Sequence, residues 1–103
     1  MTKEEALHLG LVQEFGCIAC RASSGVFSPA EIHHILDGNR RLGHFHVLPL
    51  CVPHHRGGSD GISAPFVSRH PYKKRFELAY GTEADLLEII NSYIELQQDG
   101  LHE

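Results

Sequence analysis

The chain has 103 residues, of which 42% are hydrophobic and 21% are charged, and its formal net charge is −4. These values favour one modest globular domain over residues 1–103 and argue against wholesale disorder. The negative charge argues against strong non-specific binding to a polyanion, and no apolar run is long enough to span a membrane. The opening "MTKEEALHLG" lacks a signal-peptide pattern, so we expect a cytoplasmic protein whose three cysteines stay reduced.

Apolar spacing, glycines and prolines predict alternating helical and extended segments. In chain order these are a helix (2–15), a tight turn (17–20), a loop (21–29), a strand (30–36), a turn-rich excursion (37–45), a return strand (46–51), a short helix from residue 52 that ends within 56–61, and two helices (70–81 and 82–100). The first and last helices begin with capping patterns, Thr2 with Glu5 and Thr82 with Asp85. Pro49 marks the return strand as an edge or irregular strand.

Two residue pairs share the spacing of metal-binding knuckles. Cys17 and Cys20 form the first pair, and Cys51 and His54 form the second pair further along the chain. A tight turn of this length directs both side chains at one ion, and four such ligands close the tetrahedral site of structural zinc. A lone CxxC pair would fit a redox motif or two core thiols equally well. The two pairs together use every cysteine in the chain and predict structural Zn²⁺.

Four further histidines crowd the same region: His33, His34, His46 and His55. Metal ligation and acid–base chemistry are the functions that gather histidines. Successive side chains of a strand point to opposite faces, so His33 and His34 are not expected to share a face. A surface position or a spare zinc ligand is the alternative for that pair. The remaining histidines outside the hairpin are expected at the surface: His8, His70 and His102.

These residues resemble the motif of the HNH endonucleases, in which a β-hairpin and a helix (the ββα-metal or His-Me finger) hold one catalytic divalent ion. "HHI" at 33–35 stands where that family has Asp-His or His-His. "HVLPLCVPHH" at 46–55 stands where it has Asn-Leu-x-x-Leu-Cys-x-x-Cys-His. The resemblance implies His34 as the general base, with His33 and His55 as ligands of a catalytic Mg²⁺ or Mn²⁺.

Two positions depart from the HNH motif. His46 replaces the motif's asparagine, and the alternatives for it are orienting His34, joining the metal or contacting phosphate. His54 replaces the motif's second cysteine, a substitution that zinc accepts.

A narrower resemblance spans roughly residues 17–90. The segments "EIHHI", "LPLCVPHHRGG", "GIS" and "FELAYGTEADLL" are similar to the phage recombination enhancement function (Ref) family. Those proteins are HNH nucleases that cut DNA where a RecA filament holds it. The resemblance implies a DNA substrate, a RecA filament as partner, and a bacterial host cell carrying the phage or prophage. We see no long basic N-terminal extension, and we therefore expect weaker intrinsic DNA binding.

Basic residues gather in the middle of the chain, while acidic residues collect at its two ends. This distribution permits a local nucleic-acid surface. The local candidates for phosphate contacts are Arg40, Arg41 and Arg56, with an ordinary solvated face as the alternative. His44, expected to be exposed on the hairpin loop, is a further candidate for touching DNA.

The combined interpretation is a small α+β protein that hydrolyses DNA. A zinc-braced ββα-metal (HNH) core covers about residues 17–58, flanked by an N-terminal helix and by C-terminal helices over about 70–98. The main alternative is a non-catalytic zinc module that binds nucleic acid or protein, in which the extra histidines are incidental. A redox protein using the CxxC pair would leave Cys51 and His54 without a purpose. The apolar final helices are equally compatible with a monomer and a dimer.

Overall fold

The computed structural model describes residues 1–56, 68–70 and 72–101. These residues form, in chain order, α1 (Lys3–Phe15), α2 (Ile18–Ser24), β1 (Glu31–His34), β2 (Leu36–Asp37), β3 (Arg40–Arg41), β4 (Val47–Leu50), α3 (Val52–Arg56), α4 (Lys73–Tyr80) and α5 (Glu83–Leu101). Helices combined with short antiparallel strands confirm the predicted α+β class. The predicted end of the third helix beyond residue 56, the "GIS" segment at 61–63 and His102 lie outside the described residues.

A β-hairpin followed directly by a helix forms the centre of the fold. β1 pairs antiparallel with β4, in a register that aligns Glu31 with Leu50 and His34 with Val47. The two-residue strands β2 and β3 extend this hairpin toward its tip. α3 begins two residues after β4 ends, so the hairpin and α3 make one ββα unit. Pro49 lies in β4. Among the described residues β4 pairs with one strand, β1, so it is an edge strand as predicted.

Side-chain caps start the first and last helices. Thr2 N donates to the Glu5 carboxylate at 2.8 Å, and Glu5 N donates to Thr2 Oγ1 at 3.1 Å. At the start of α5, Asp85 N donates to Thr82 Oγ1 at 3.1 Å. These bonds satisfy amide groups that a helix leaves without an internal partner at its N-terminus, and they confirm both predicted caps.

The structure corrects the prediction for the segment that carries the CxxC pair. Residues 17–29 were expected to form a turn and a loop, but α2 runs on as far as Ser24. Cys17 is its N-cap, and its sulfur accepts from Cys20 N at 3.4 Å. Gly25 then ends α2 in the left-handed conformation, with φ of 71°. Cysteine is an uncommon N-cap, which is why the sequence alone did not reveal the helix.

The surface prediction for His8 is wrong. His8 is 5% exposed in the structure, and its ring packs edge-on against Phe45 with 5.1 Å between the ring centroids. A leucine at the preceding position, Leu7, is instead 49% exposed. The buried face of α1 therefore begins with an imidazole, which a hydrophobic pattern does not count. That face consists of His8, Leu11, Val12 and Phe15.

The core forms where the helices meet the hairpin. All four residues of β4 are buried, and α1, α2 and α5 all contact this strand. The apolar residues with the lowest exposure in the core include Val12, Val47, Leu48, Leu50, Phe76 and Ile90. Among the described residues, no helix combines the length and the apolar character needed to cross a membrane.

Candidate metal centres

The four residues predicted to bind zinc lie together at the junction of α2 and α3. Cys17 and Cys20 come from the N-terminus of α2, Cys51 follows β4, and His54 lies on α3. All four are buried, and their ligand atoms lie within 4.8 Å of one another. We call them the sulfur cluster. The ββα unit thus holds its second knuckle against the first, although the two are far apart in sequence.

The spacing of the ligand atoms in the sulfur cluster matches a tetrahedral zinc site. His54 Nδ1 lies 3.4 Å from Cys17 Sγ, 3.4 Å from Cys20 Sγ and 3.2 Å from Cys51 Sγ. Cys20 Sγ lies 3.7 Å from Cys51 Sγ. Zinc bonds of about 2.3 Å to sulfur and about 2.0–2.1 Å to nitrogen give tetrahedral edges of about 3.8 Å between sulfurs and about 3.6 Å between sulfur and nitrogen. The observed edges are within a few tenths of an ångström of these values.

The surroundings of the sulfur cluster also suit a metal. His54 turns Nδ1 toward the cysteines, and its Nε2 lies 3.0 Å from the hydroxyl of Tyr80. A hydrogen bond to the second ring nitrogen is the usual way in which a protein orients a metal-binding histidine. Burial raises the pKa of Cys17, and it raises the pKa of Cys51 to about 12. Thiolates in this place therefore require a cation, so the cluster can hold a metal that stabilises them.

A second group of side chains, which we call the histidine cluster, includes the residue that follows His54 on α3. His33 from β1, His55 from α3 and His70 bring one ring nitrogen each to within 4.8 Å of the others. His33 is buried, with 2% exposure, because its side chain faces the core of the hairpin. His55 is partly buried and His70 is exposed. The cluster thus lies at the edge of the core, where it remains accessible from solvent.

The hydrogen bonds of His33 and His55 define which ring nitrogens carry hydrogen. His33 Nε2 lies 2.6 Å from Glu83 Oε2, and His55 Nδ1 lies 2.6 Å from Glu31 Oε1. Because ionised carboxylates only accept hydrogen bonds, each of these nitrogens is the donor. In the neutral rings, the two remaining nitrogens both carry lone pairs, and they face each other at 3.1 Å. That contact is repulsive unless a cation lies between them.

The same two nitrogens have the spacing of neighbouring ligands on one ion. Octahedral bonds of about 2.1 Å place adjacent ligand atoms about 3.0 Å apart, close to the observed 3.1 Å. A carboxylate on the outer nitrogen of each histidine is the common support for metal-binding imidazoles. His33 and His55 therefore have both the inner spacing and the outer support of metal ligands.

Cations hold the two supporting carboxylates in place. Arg69 and Lys73 lie 3.0 Å and 3.6 Å from carboxylate oxygens of Glu83. Burial opposes ionisation of Glu83, but the hydrogen bonds from His33 and Arg69 outweigh it and lower its pKa to about 2. Arg56 makes two contacts with Glu31, at 2.8 and 2.9 Å, and this pairing is the main cause of that carboxyl's lowered pKa. Both carboxylates are therefore ionised at neutral pH.

A cavity of about 310 Å³ opens beside the histidine cluster, and His34 and Arg41 line it together with His33, His55 and His70. Although His33 and His34 are adjacent on β1, both reach this cavity. Burial, reinforced by nearby positive charge, lowers the pKa of His34. The histidine predicted to act as a base is therefore neutral at neutral pH.

The partner of His34 is a loop histidine. His34 Nε2 lies 3.2 Å from His44 Nδ1, so His44, which was expected to be exposed, is only partly exposed. The side chain of His46 is exposed, and it is His44 that contacts His34. The backbone carbonyl of His46 accepts a hydrogen bond from Ile35 N at 3.0 Å, which helps to close the hairpin.

The predicted DNA-contacting arginines occupy different surroundings. Arg40 and Arg41 form the exposed strand β3, and Arg41 reaches the cavity. The guanidinium of Arg56 is instead paired with Glu31. Of the three predicted arginines, Arg41 is therefore the one that lines the cavity beside His34.

Sequence reasoning missed three groups that complete the histidine cluster: Glu31, Glu83 and His70. Glu83 lies 50 residues from His33 in sequence, so no local motif joins them. Glu31 directly precedes the "IHH" segment and lies two residues before His33 in β1. Strand alternation could therefore have placed both side chains on one face. His70 follows a stretch outside the described residues, and its backbone N–H donates to His55 O at 2.9 Å. His70 is exposed as predicted, but the prediction did not place it beside His33 and His55.

Comparison with known proteins identifies a family for this chain. No curated protein matches the chain. The family model of recombination enhancement, RecA-dependent nucleases matches residues 1–95, which include every residue of the sulfur and histidine clusters. A match over most of the chain assigns the family. The chain belongs to the family of recombination enhancement, RecA-dependent nucleases.

Proposed function

We propose that this protein is a DNA endonuclease of the HNH type, which hydrolyses phosphodiesters with a histidine base and one divalent ion. His34 is the general base, and His33 and His55 hold a catalytic Mg²⁺ or Mn²⁺. The observation that carries the proposal is the 3.1 Å approach of two imidazole nitrogens, each backed by a carboxylate, beside a third histidine in one open cavity. A purely structural role does not account for such a group at the solvent edge of the core.

His34 can act as a base in one tautomer. If Nε2 carries the hydrogen and donates to His44 Nδ1, 3.2 Å away, then His34 Nδ1 has a free lone pair that can take a proton from water. The lowered pKa keeps this imidazole neutral at the pH of the cell. His44 positions the ring through this bond. Because His44 is partly exposed, it also offers a route by which the proton reaches solvent.

Other side chains bind and position the scissile phosphate. Arg41 lines the cavity, and its guanidinium can make two hydrogen bonds to a phosphate. We assign phosphate contacts along the DNA to Arg40, Arg41, His44 and Arg56, and His46 is a further phosphate contact from the exposed loop. A divalent ion, when bound, neutralises charge on the phosphate and on the leaving oxygen.

We assign structural Zn²⁺ to the sulfur cluster. This site joins α2 to α3 at His54, and His55 is the next residue of α3. The zinc site therefore also holds His55 in place. Membership of the family supports a RecA filament as partner and DNA bound in that filament as substrate. The proposed setting is the cytoplasm of a bacterial cell that carries the phage or prophage.

A cleavage assay tests the proposal. Single-stranded and supercoiled DNA are incubated with the zinc-loaded protein and Mg²⁺ or Mn²⁺, each with and without a RecA–ATP filament. We expect cleavage that requires the filament and that falls at least about 100-fold in His34→Ala, the usual contribution of a general base. Zinc content and melting temperature equal to those of the wild type show that the variant is folded.

The other outcomes change specific parts of the proposal. Cleavage without the filament keeps the HNH mechanism but removes RecA as a requirement. Equal cleavage by His34→Ala and wild type removes the base assignment. A folded, zinc-loaded protein that cleaves under none of the conditions favours the non-catalytic zinc module.

A further inference from the structure

We infer that His70 is a third protein ligand of the catalytic ion, which makes the site selective for transition metals such as Mn²⁺ over Mg²⁺. This inference rests on the proposed function, because it concerns the ion that His33 and His55 hold. The HNH motif identified in the sequence contributes two ligands, and it does not include residue 70. The assignment therefore comes from the tertiary arrangement alone.

The three imidazole rings form a nearly regular triangle. Their centroids are 5.0 Å apart for His33 and His55, 5.2 Å for His33 and His70, and 5.1 Å for His55 and His70. The planes are mutually inclined by 73°, 66° and 53°, so the rings are not stacked on one another. One ring nitrogen from each lies within 4.8 Å of the other two. Three ring nitrogens this close to one another can bind one ion.

The backbone holds His70 in this position through the same helix that carries His55. His70 N donates to His55 O at 2.9 Å, and Arg69 N donates to His54 O at 2.6 Å. The hydroxyl of Ser68 donates to His70 O at 2.7 Å. Two adjacent backbone hydrogen bonds therefore tie residues 69 and 70 to carbonyl groups of α3, and they fix the backbone of His70 beside His55.

The neighbour of His70 links it to the other ligand. Arg69 donates from Nε to Glu83 Oε2 at 3.0 Å, and the same oxygen accepts from His33 Nε2 at 2.6 Å. The side chain of Arg69 is buried, so this pairing is held away from water. Arg69, the residue before His70, is thus joined to the carboxylate that supports His33.

Three nitrogen ligands determine which ion the site prefers. Mg²⁺ prefers oxygen ligands and gives up its waters reluctantly, whereas imidazole ligands favour transition metals, with an affinity that rises from Mn²⁺ to the later ions. Three neutral imidazoles compensate no charge on the ion, so the two buried or half-buried carboxylates behind them supply the negative charge. His70 is exposed and the cavity is open, which leaves room for water and a phosphate oxygen beside three protein ligands.

Binding of Mn²⁺ to the zinc-loaded protein tests the inference. The free ion is measured by its electron paramagnetic resonance signal, so that the readout does not depend on cleavage. We expect His70→Ala to weaken Mn²⁺ binding more than about 100-fold, beyond the 10–100-fold that loss of a supporting group costs. His34→Ala is the matched control, because it removes an imidazole from the same cavity and should leave Mn²⁺ affinity within about two-fold while abolishing cleavage.

A second variant separates ligation from a loss of packing. His70→Asp replaces the nitrogen by oxygen ligands, and we expect it to recover Mn²⁺ binding relative to His70→Ala and to improve Mg²⁺ binding relative to wild type. If Mn²⁺ affinity in His70→Ala equals that of wild type while His33→Ala loses binding, the third-ligand assignment is overturned and the proposed function stands. If the wild type binds Mg²⁺ but not Mn²⁺, the inference is overturned and the proposed function stands. If it binds neither ion, both are overturned.

Discussion

Loss of the zinc proposed for the sulfur cluster should remove a large share of the stability of this protein. The perturbation is Cys51→Ser, at a buried position between β4 and α3. The zinc proposed for this cluster would join Cys20 to Cys51, which are 31 residues apart, and closing a loop of that length restricts the unfolded chain by about 4 kcal/mol at 25 °C. A small domain has a total stability of about 5–15 kcal/mol. The cross-link therefore accounts for a large share of it.

Thermal unfolding followed by circular dichroism measures this effect. A loss of about 4 kcal/mol corresponds to a fall in melting temperature of roughly 15–30 °C, since 1 kcal/mol shifts a domain of this size by about 4–8 °C. Removing zinc from the wild type with a strong chelator should give the same melting temperature as Cys51→Ser, and chelator should not change the variant further. A zinc-free variant that melts at the wild-type temperature would refute the reasoning.

Four further predictions concern the support of the histidine cluster and positions within α1 or at its end. Glu31→Gln should weaken Mn²⁺ binding about 10–100-fold, measured by the free-ion signal, because the second histidine of the cluster loses its support. Gly16→Ala should destabilise by about 1–3 kcal/mol in urea unfolding, since φ is +80° and a Cβ would lie 2.6 Å from the Phe27 ring. Gly10→Ala, with nothing within 4 Å, should stabilise by about 0.5–1 kcal/mol. His8→Leu should stabilise by about 1 kcal/mol, because Nε2 is buried without a hydrogen-bond partner among the described residues.

A control variant and the contrary outcomes show how these measurements are to be interpreted. Glu88→Gln removes an exposed carboxylate from α5 and should leave Mn²⁺ affinity unchanged. An equal loss in both glutamate variants would mean that general charge, and not the support of His55, governs binding. A neutral Gly16→Ala would show that the chain after α1 adjusts freely. A destabilised His8→Leu would mean that edge-on packing against Phe45 outweighs the unpaired nitrogen.

Local patterns identified most of the elements of this fold. The two N-terminal helix caps, the hairpin and the short helix that carries His54 and His55 follow local sequence patterns, and the structure contains all of them. α2 was missed because its N-cap is a cysteine, whose role as a cap is not part of the usual pattern. His8 was misplaced because periodicity counts imidazole as polar.

The spacing of the three cysteines and His54 along the chain also predicted the members of the sulfur cluster. Two pairs with two intervening residues use all three cysteines, and the chemistry of thiolate and imidazole restricts what such pairs can do. Their assembly into one tetrahedron required the hairpin, which brings residues 51–54 back to residues 17–20.

The sequence by itself determined the chemistry available to this protein: a family motif, four ligands for a structural metal, and a group of histidines near a hairpin. Only the tertiary structure decided which partners each of those histidines contacts. The pairing of His33 with Glu83, the approach of His70 to His55, and the contact of His44 with His34 all join residues that no local pattern relates. The physical reason is that the orientation of an imidazole depends on the partner of its second nitrogen, and that partner comes from another part of the chain.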